Sequence, residues 1–256
     1  MKGSLADAHA HLSDDAFEND LSEVLARARR AGVATVVCVS ESIADAEKNL
    51  ALAKKHPMIV PAAGLYPSLL DFDLASAMED LIRRERPHLG AIGEVGLDYW
   101  IVKDEVERGV QRDIFKRFIE LSLELGLPLN IHSRSAGRHV IDLLLACNAE
   151  KVQLHAFDGR AFYALRAVEA GYFFSIPPSV IHSTQKQKLV RQLPLENLLL
   201  ETDSPVLGPR RNERNEPAHV IVSLEAIAEI KELSVRDVQQ AVSRNFEKLY
   251  GMTLPT

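Results

Sequence analysis

The sequence predicts an α/β fold of the (β/α)8 kind, a TIM barrel, occupying residues 1–256 as a single domain. Three observations carry this. The chain has 256 residues, room for one barrel-sized domain or two small ones. Apolar runs of strand length alternate with segments of helical period from end to end. No low-complexity tract, Pro/Gly-rich linker or sharp charge shift marks an internal boundary. A doubly wound open sheet is the alternative, but eight strand and helix pairs in this length match the barrel in both number and size.

The apolar runs fall at Leu5 to Ala8, Val33 to Val39, Ile59 to Leu65, Leu89 to Val95, Pro128 to Ile131, Val152 to Leu154, Gly171 to Ile176 and Leu198 to Leu200. Between the first two, Phe17, Leu21, Val24, Leu25 and Ala28 recur at helical spacing, and Gly32 follows as a C-terminal cap. Val110, Ile114, Phe118, Leu121 and Leu125 line one helical face before Gly126. Phe162, Leu165 and Val168 do the same before Gly171.

Hydrophobic residues make up 46% of the chain and charged residues 26%, the balance of a folded globular protein. Thirty Lys and Arg stand against 36 Asp and Glu, a net charge of −6, so a nucleic-acid partner needs a local basic patch or a metal. Cys38 and Cys147 are too few for a disulfide framework, and no C-x-x-C pair suggests a zinc ribbon or redox motif. Asp7, His9 and His11 interrupt the stretch where a signal peptide would be apolar. No run approaches the 18 apolar residues of a membrane span, so the expected setting is the cytoplasm, without membrane contact.

The residues suited to chemistry sit at the ends of the apolar runs, where a barrel of this kind carries its active site. The first run leads into Asp7-Ala8-His9-Ala10-His11, with both imidazoles on one side of an extended chain, a spacing that lets them share a divalent ion. The fourth ends Gly93-Glu94-Val95-Gly96-Leu97-Asp98, setting a carboxylate inside an apolar strand, where it needs a metal, an arginine or a proton. The fifth and sixth each deliver one histidine, His132 and His155. The eighth ends Glu201-Thr202-Asp203-Ser204-Pro205. Singly, each has an ordinary structural explanation: a hydrogen-bonded core histidine, an ion-paired glutamate, an aspartate capping a turn. Together, four imidazoles and two carboxylates at one mouth suit two transition-metal ions of the zinc or manganese kind. Such a site implies hydrolysis, most naturally of a phosphoester by metal-bound hydroxide.

In these motifs the sequence resembles the TatD family of metal-dependent deoxyribonucleases over essentially its whole length. Leu154-His155-Ala156-Phe157-Asp158-Gly159 and Arg214-Asn215-Glu216-Pro217 also look like family signatures. The stretches HSRSAGR (132–138), GYFFSIPPS (171–179) and QKQKLVRQLPL (185–195) look most like the deoxyribonuclease 3 branch. The resemblance implies that His9, His11, Glu94 and Asp203 surround one divalent ion while Glu94, His132 and His155 hold the second, the ions being zinc, manganese or magnesium. Glu94 would bridge, and Asp203 would move the proton between water and leaving oxygen. Glu201 is the weaker candidate for that duty. Gly93 and Gly96 would let neighbouring strands and ligand approach Glu94 closely.

One departure concerns the third run. Many family members carry Gly-x-His-Pro there, and this chain has Gly64-Leu65-Tyr66-Pro67, a phenol that can donate to phosphate or stack on a base. Basic residues follow the same runs: Arg134, Arg138, Arg160, Lys186, Lys188, Arg210, Arg211 and Arg214. Arg134, two residues beyond a ligand, is the expected phosphate clamp, with Arg138 beside it. Tyr99, Trp100 and Phe157 are candidates for stacking on an unpaired base.

The expected function is cleavage of DNA phosphodiesters, at single-stranded sites or 3′ ends, without sequence readout, since no helix-turn-helix, zinc finger or RNA-recognition motif is present. The alternatives are a small-molecule amidohydrolase, an esterase on an RNA 3′ end such as an aminoacyl-tRNA deacylase, and a metal-stabilised binding scaffold without turnover. A bridging Glu94 rather than a carboxylatable lysine favours the phosphoesterase.

Overall fold

The computed structural model describes residues 4–255; the ends of the expected domain, Met1 to Gly3 and Thr256, lie outside the described residues. Eight strands form one parallel sheet in sequential order: β1 (Leu5–Ala10), β2 (Val33–Cys38), β3 (Ile59–Ala63), β4 (Ala91–Gly96), β5 (Leu129–His132), β6 (Val152–His155), β7 (Phe173–Ile176) and β8 (Leu198–Leu200). One helix follows each of the first seven: α1 (Leu21–Arg30), α2 (Ile43–Lys55), α3 (Phe72–Glu85), α4 (Glu105–Leu125), α5 (Gly137–Ala146), α6 (Ala161–Glu169) and α7 (Thr184–Gln192). Two follow the last, α8 (Val220–Lys231) and α9 (Val235–Tyr250). Every strand overlaps one expected apolar run.

Closure of the barrel rests on the segment just beyond β8. Ala10 bridges Ser204 in parallel, His11 N–H donates to the Ser204 carbonyl at 2.8 Å, and Asp203 N–H donates to the His9 carbonyl at 2.8 Å. Asp7 reinforces the seam: its carboxylate accepts from the Thr202 amide at 2.8 Å and the Thr202 hydroxyl at 2.5 Å. The first and last chemical motifs are thereby held side by side.

Helix ends follow local chemistry. Asp104 caps α4 by accepting from the Val106 and Glu107 amides, and Gly126 stops it in the left-handed region at φ 66°. Within α4, Ile114, Phe118 and Leu121 face the core as their spacing predicts. Two helical expectations need correction. Phe17 is buried, but in a short 3-10 turn ahead of α1. Phe162 and Leu165 are 71% and 40% exposed, because α6 rests on Ala164 and Ala167, whose small side chains permit close packing and leave the larger ones in solvent.

Polar side chains inside the barrel, beneath its C-terminal mouth, are paired rather than stranded. Asn130 and Gln153 both donate to the Ala8 carbonyl, at 2.9 and 3.0 Å, and Tyr250 at the end of α9 donates to Gln153 at 2.6 Å. Both cysteines are free thiols; Cys38 is buried and donates to Asn49.

Candidate metal centre

The sheet order places the ends of β1, β4, β5, β6 and β8 around one mouth, and His9, His11, Glu94, His132, His155 and Asp203 converge there. Glu94 sits at the middle and divides its oxygens. Oε1 lies 2.5 Å from His132 Nδ1 and 2.8 Å from His155 Nε2. Oε2 lies 3.5 Å from His11 Nε2 and 3.8 Å from His9 Nε2. Asp203 Oδ1 closes the second group, 3.4 Å from His9 Nε2 and 3.3 Å from His11 Nε2. Its φ of 55° puts this non-glycine residue in the sparsely populated left-handed region, a conformation found often in active sites.

Glycine makes the approach of Glu94 feasible. A Cβ on Gly93 would lie 2.6 Å from Asn130 Cβ, and one on Gly96 would collide with the His132 carbonyl. Close strand packing at both flanks therefore requires the hydrogen side chain, as the sequence suggests.

For His9 and His132 the inward nitrogen is selected by a partner on the opposite side of the ring. Asn130 donates its amide to Ala8, so its Oδ1 accepts from His9 Nδ1 at 2.8 Å and leaves His9 Nε2 facing inward. Asp98 Oδ2 accepts from His132 Nε2 at 2.9 Å, turning Nδ1 inward. His155 Nδ1 has no hydrogen-bond partner and lies 3.9 Å from Glu201 Oε2. Glu201 is held in place by the Ala156 amide at 2.8 Å and the Ser175 hydroxyl at 2.5 Å, so it stands behind the cluster, not in it.

Electrostatics show what the cluster lacks. Burial pushes the Glu94 carboxyl up, but the His155 and His132 imidazoles outweigh it and hold it well below the usual range. Asp203 is likewise lowered, by His11 and His9 against burial. Burial lowers the His9 imidazole, yet Asp203 and Glu94 raise it to about 10. Glu94 and Asp98 likewise raise His132 to about 9. His155 is driven the other way, to about 4, by burial and the neighbouring His9. Buried carboxylates that draw protons onto imidazoles this strongly demand positive charge, which a divalent cation supplies. Donor atoms from His9, Glu94 and His155, from His9, His11 and Asp203, and from His11, Glu41 and Glu94 form three overlapping groups within 4.8 Å. This mixed nitrogen and oxygen set fits transition-metal ions.

A cavity of about 440 Å³ opens over the cluster. Arg134 and Tyr66 are among the residues that line it. The Arg134 guanidinium lies 5.1 Å from the Trp100 ring centre and has no carboxylate within 4.0 Å among the described residues. Tyr66 instead commits its hydroxyl to Asp98 Oδ2 at 3.1 Å, joining the support of His132. Arg138 does not line the cavity; it pairs with Asp142 at 3.4 Å and lies over Tyr163 on the helical flank. Arg214 is also removed from the rim. It pairs with Asp20 at 2.6 Å while Glu216 pairs with Arg27 at 2.7 Å, so this signature pins the loop beyond β8 against α1. Phe157 is buried against Phe174 and cannot stack on a base.

Asn130, Asp98 and Glu41 have no role that the sequence alone assigns. Glu41 lines the cavity 3.9 Å from His11 Nδ1 and follows the second apolar run, so the rule that finds the other residues reaches it too. Asp98 and Asn130 lie within the strand-end motifs, but only the fold reveals which imidazole each one holds.

A family model described as TatD related DNase matches residues 6–251. The deoxyribonuclease TATDN3 of Homo sapiens is 44% identical, with 96% of this chain and 94% of that protein covered. The metal-dependent hydrolase YabD of Bacillus subtilis is 32% identical over 96% of this chain and 98% of its own length. The crystal structure of YJJV, a TATD homolog from Escherichia coli, superposes with a TM-score of 0.91 at 24% identity, covering 98% of this chain and all of that one.

Proposed function

Because the chain belongs to the TatD-related DNase family, we propose that it hydrolyses phosphodiester bonds of DNA at a centre of two divalent cations bridged by Glu94. The observation carrying this is the division of Glu94, with one oxygen facing His132 and His155 and the other facing His9 and His11. His9, His11, Glu94 and Asp203 would hold one cation, and Glu94, His132 and His155 the other. When bound, such cations supply Lewis acidity toward a phosphoryl group and a nucleophile competent at neutral pH.

The protein's own groups do the rest. Asn130 and Asp98 fix the faces that His9 and His132 present. Asp203 directs Oδ1 toward His9 and His11; its carboxylate takes the proton from water and returns it to the leaving oxygen. Arg134, unpaired and lining the cavity, holds a non-bridging phosphate oxygen. We assign single-stranded sites or 3′ ends as preferred substrates, since strand ends enter a mouth of this size without duplex distortion. The chain acts as one catalytic unit, in the cytoplasm, in keeping with two free cysteines. No helix among the described residues is long and apolar enough to cross a membrane.

Assays of purified, metal-loaded protein on single-stranded DNA, duplex DNA, RNA and aminoacyl-tRNA test this directly. Chelator-sensitive release of nucleotides from DNA is expected. Turnover of aminoacyl-tRNA with DNA left intact would refute it.

A further inference from the structure

A second concavity, of about 700 Å³, adjoins the metal cavity, and the two share Lys186, Val206 and Leu207 as a common wall. The Lys186 side chain is the feature that demands explanation. It is only 9% exposed, and its ammonium donates to one protein acceptor, the Ala156 carbonyl at 2.9 Å. An ammonium has three donors. Among the described residues no carboxylate oxygen lies within 4.0 Å of it, so a buried cation stands between two cavities with donor capacity to spare.

Beyond that wall the second concavity carries Arg210 and Arg211, both exposed, and one acid, Glu213, 3.3 Å from Arg210. Three cations against one carboxylate make this groove locally basic on a chain whose net charge is −6. Val206, 56% exposed, adds an apolar lip between the two cavities.

We propose that this groove is a subsite for the sugar-phosphate backbone of a single polynucleotide strand, with Lys186 binding the phosphate that passes from the metal cavity into it. The assignment rests on the nuclease function proposed above and extends it. A small anion fits within either cavity alone, whereas a polymer of regularly spaced phosphates occupies both and meets the cations in succession. Charge complementarity and continuity with the metal cavity both favour that occupant.

The test compares wild type with an Arg210→Ala/Arg211→Ala double variant and with Lys186→Gln, all metal-loaded. Two readouts are used: kcat/KM for dithymidylate, octathymidylate and bis(p-nitrophenyl) phosphate, and fluorescence-anisotropy binding of a labelled phosphorothioate octathymidylate at several salt concentrations. In wild type, kcat/KM is expected to rise with chain length. In the double variant the ratio of octathymidylate to small-diester kcat/KM falls about tenfold, and the binding slope against log salt drops by about 0.7 for each phosphate that is no longer neutralised. Lys186→Gln lowers kcat/KM for the octamer more than that for the dimer, and weakens octamer binding. A strand that binds wild type and both variants alike, with equal salt slopes, overturns the groove whether or not it is cut. A strand that binds with these differences but is never cleaved leaves the groove standing and removes the nuclease function instead.

Discussion

Asp98 Oδ2 lies 2.9 Å from His132 Nε2, while the other oxygen of the same carboxylate accepts the Trp100 and Ile101 amides at 2.8 and 2.9 Å. One buried side chain thus orients an imidazole of the cluster and anchors the turn that follows β4. Tyr66 donates to the shared oxygen, so the phenol found in place of an imidazole serves the same support. Asp98→Asn keeps the size but offers only one acceptor oxygen, so it cannot accept from His132 and from the Trp100 and Ile101 amides at once. Metal affinity is expected to weaken 10- to 100-fold, the usual cost of losing such a partner. Tyr66→Phe is expected to cost less, about 1 kcal/mol for one hydrogen bond. Metal titration of the two variants checks the ranking; equal affinities in wild type and Asp98→Asn would contradict the orienting role.

Glu94→Gln removes the one charge that faces both halves of the cluster. We expect loss of one or both cations and a fall in activity of about 100-fold or more, while the barrel stays folded. Elemental analysis and circular dichroism on the same sample separate loss of metal from loss of fold. Normal metal content with normal turnover would exclude Glu94 as the bridge.

Arg134→Ala leaves metal content and folding intact, because the guanidinium is exposed and reaches the cavity rather than the ligands. On oligonucleotides it should cost roughly 1.5 to 3 kcal/mol of transition-state or substrate binding, the worth of a charge-assisted contact. Wild-type binding should also decline more steeply with salt than the variant's. Matching salt slopes and unchanged kcat/KM would assign Arg134 to packing on Trp100 alone.

Proton competition gives a further check. His9 and His132, raised to about 10 and about 9, carry protons at neutral pH in the metal-free protein, so cation uptake must displace them. Affinity for a divalent cation should therefore rise between pH 6 and pH 9, with protons released on binding. The same shifts fix a stability sign for the metal-free protein. A raised imidazole stabilises the fold fully below its unfolded value near 6.5, and that contribution disappears as pH rises through 9 and 10. Thermal melts with and without cation test both; a metal affinity flat across this range would contradict the competition.

The fold was legible because its signal is repetitive. Each buried strand is a short apolar run, and Gly32 and Gly126 mark helix ends through positive φ, at 91° and 66°. The six residues of the cluster were legible for a related reason: a charged or imidazole group ending an apolar strand is costly unless something at the barrel mouth compensates it. Helix faces were less so. The face of α6 is set by how closely Ala164 and Ala167 pack, which apolar spacing alone does not encode, so Phe162 and Leu165 face solvent where their spacing points to the core. The rim was the least legible. Arg134 and Arg138 are four residues apart, yet only the first lines the cavity, because the second lies on α5 within reach of Asp142. Asn130 is silent in sequence for another reason: its importance lies in a hydrogen bond to a residue 121 positions away.

Manganese titration of the metal-free protein, followed simultaneously by bound metal and by cleavage of a single-stranded oligonucleotide, tests the two-cation nuclease most directly. Activity should be absent in chelator, rise with added metal and reach its plateau at two equivalents per chain. A plateau at one equivalent, or cleavage that persists in chelator, would contradict a centre bridged by Glu94.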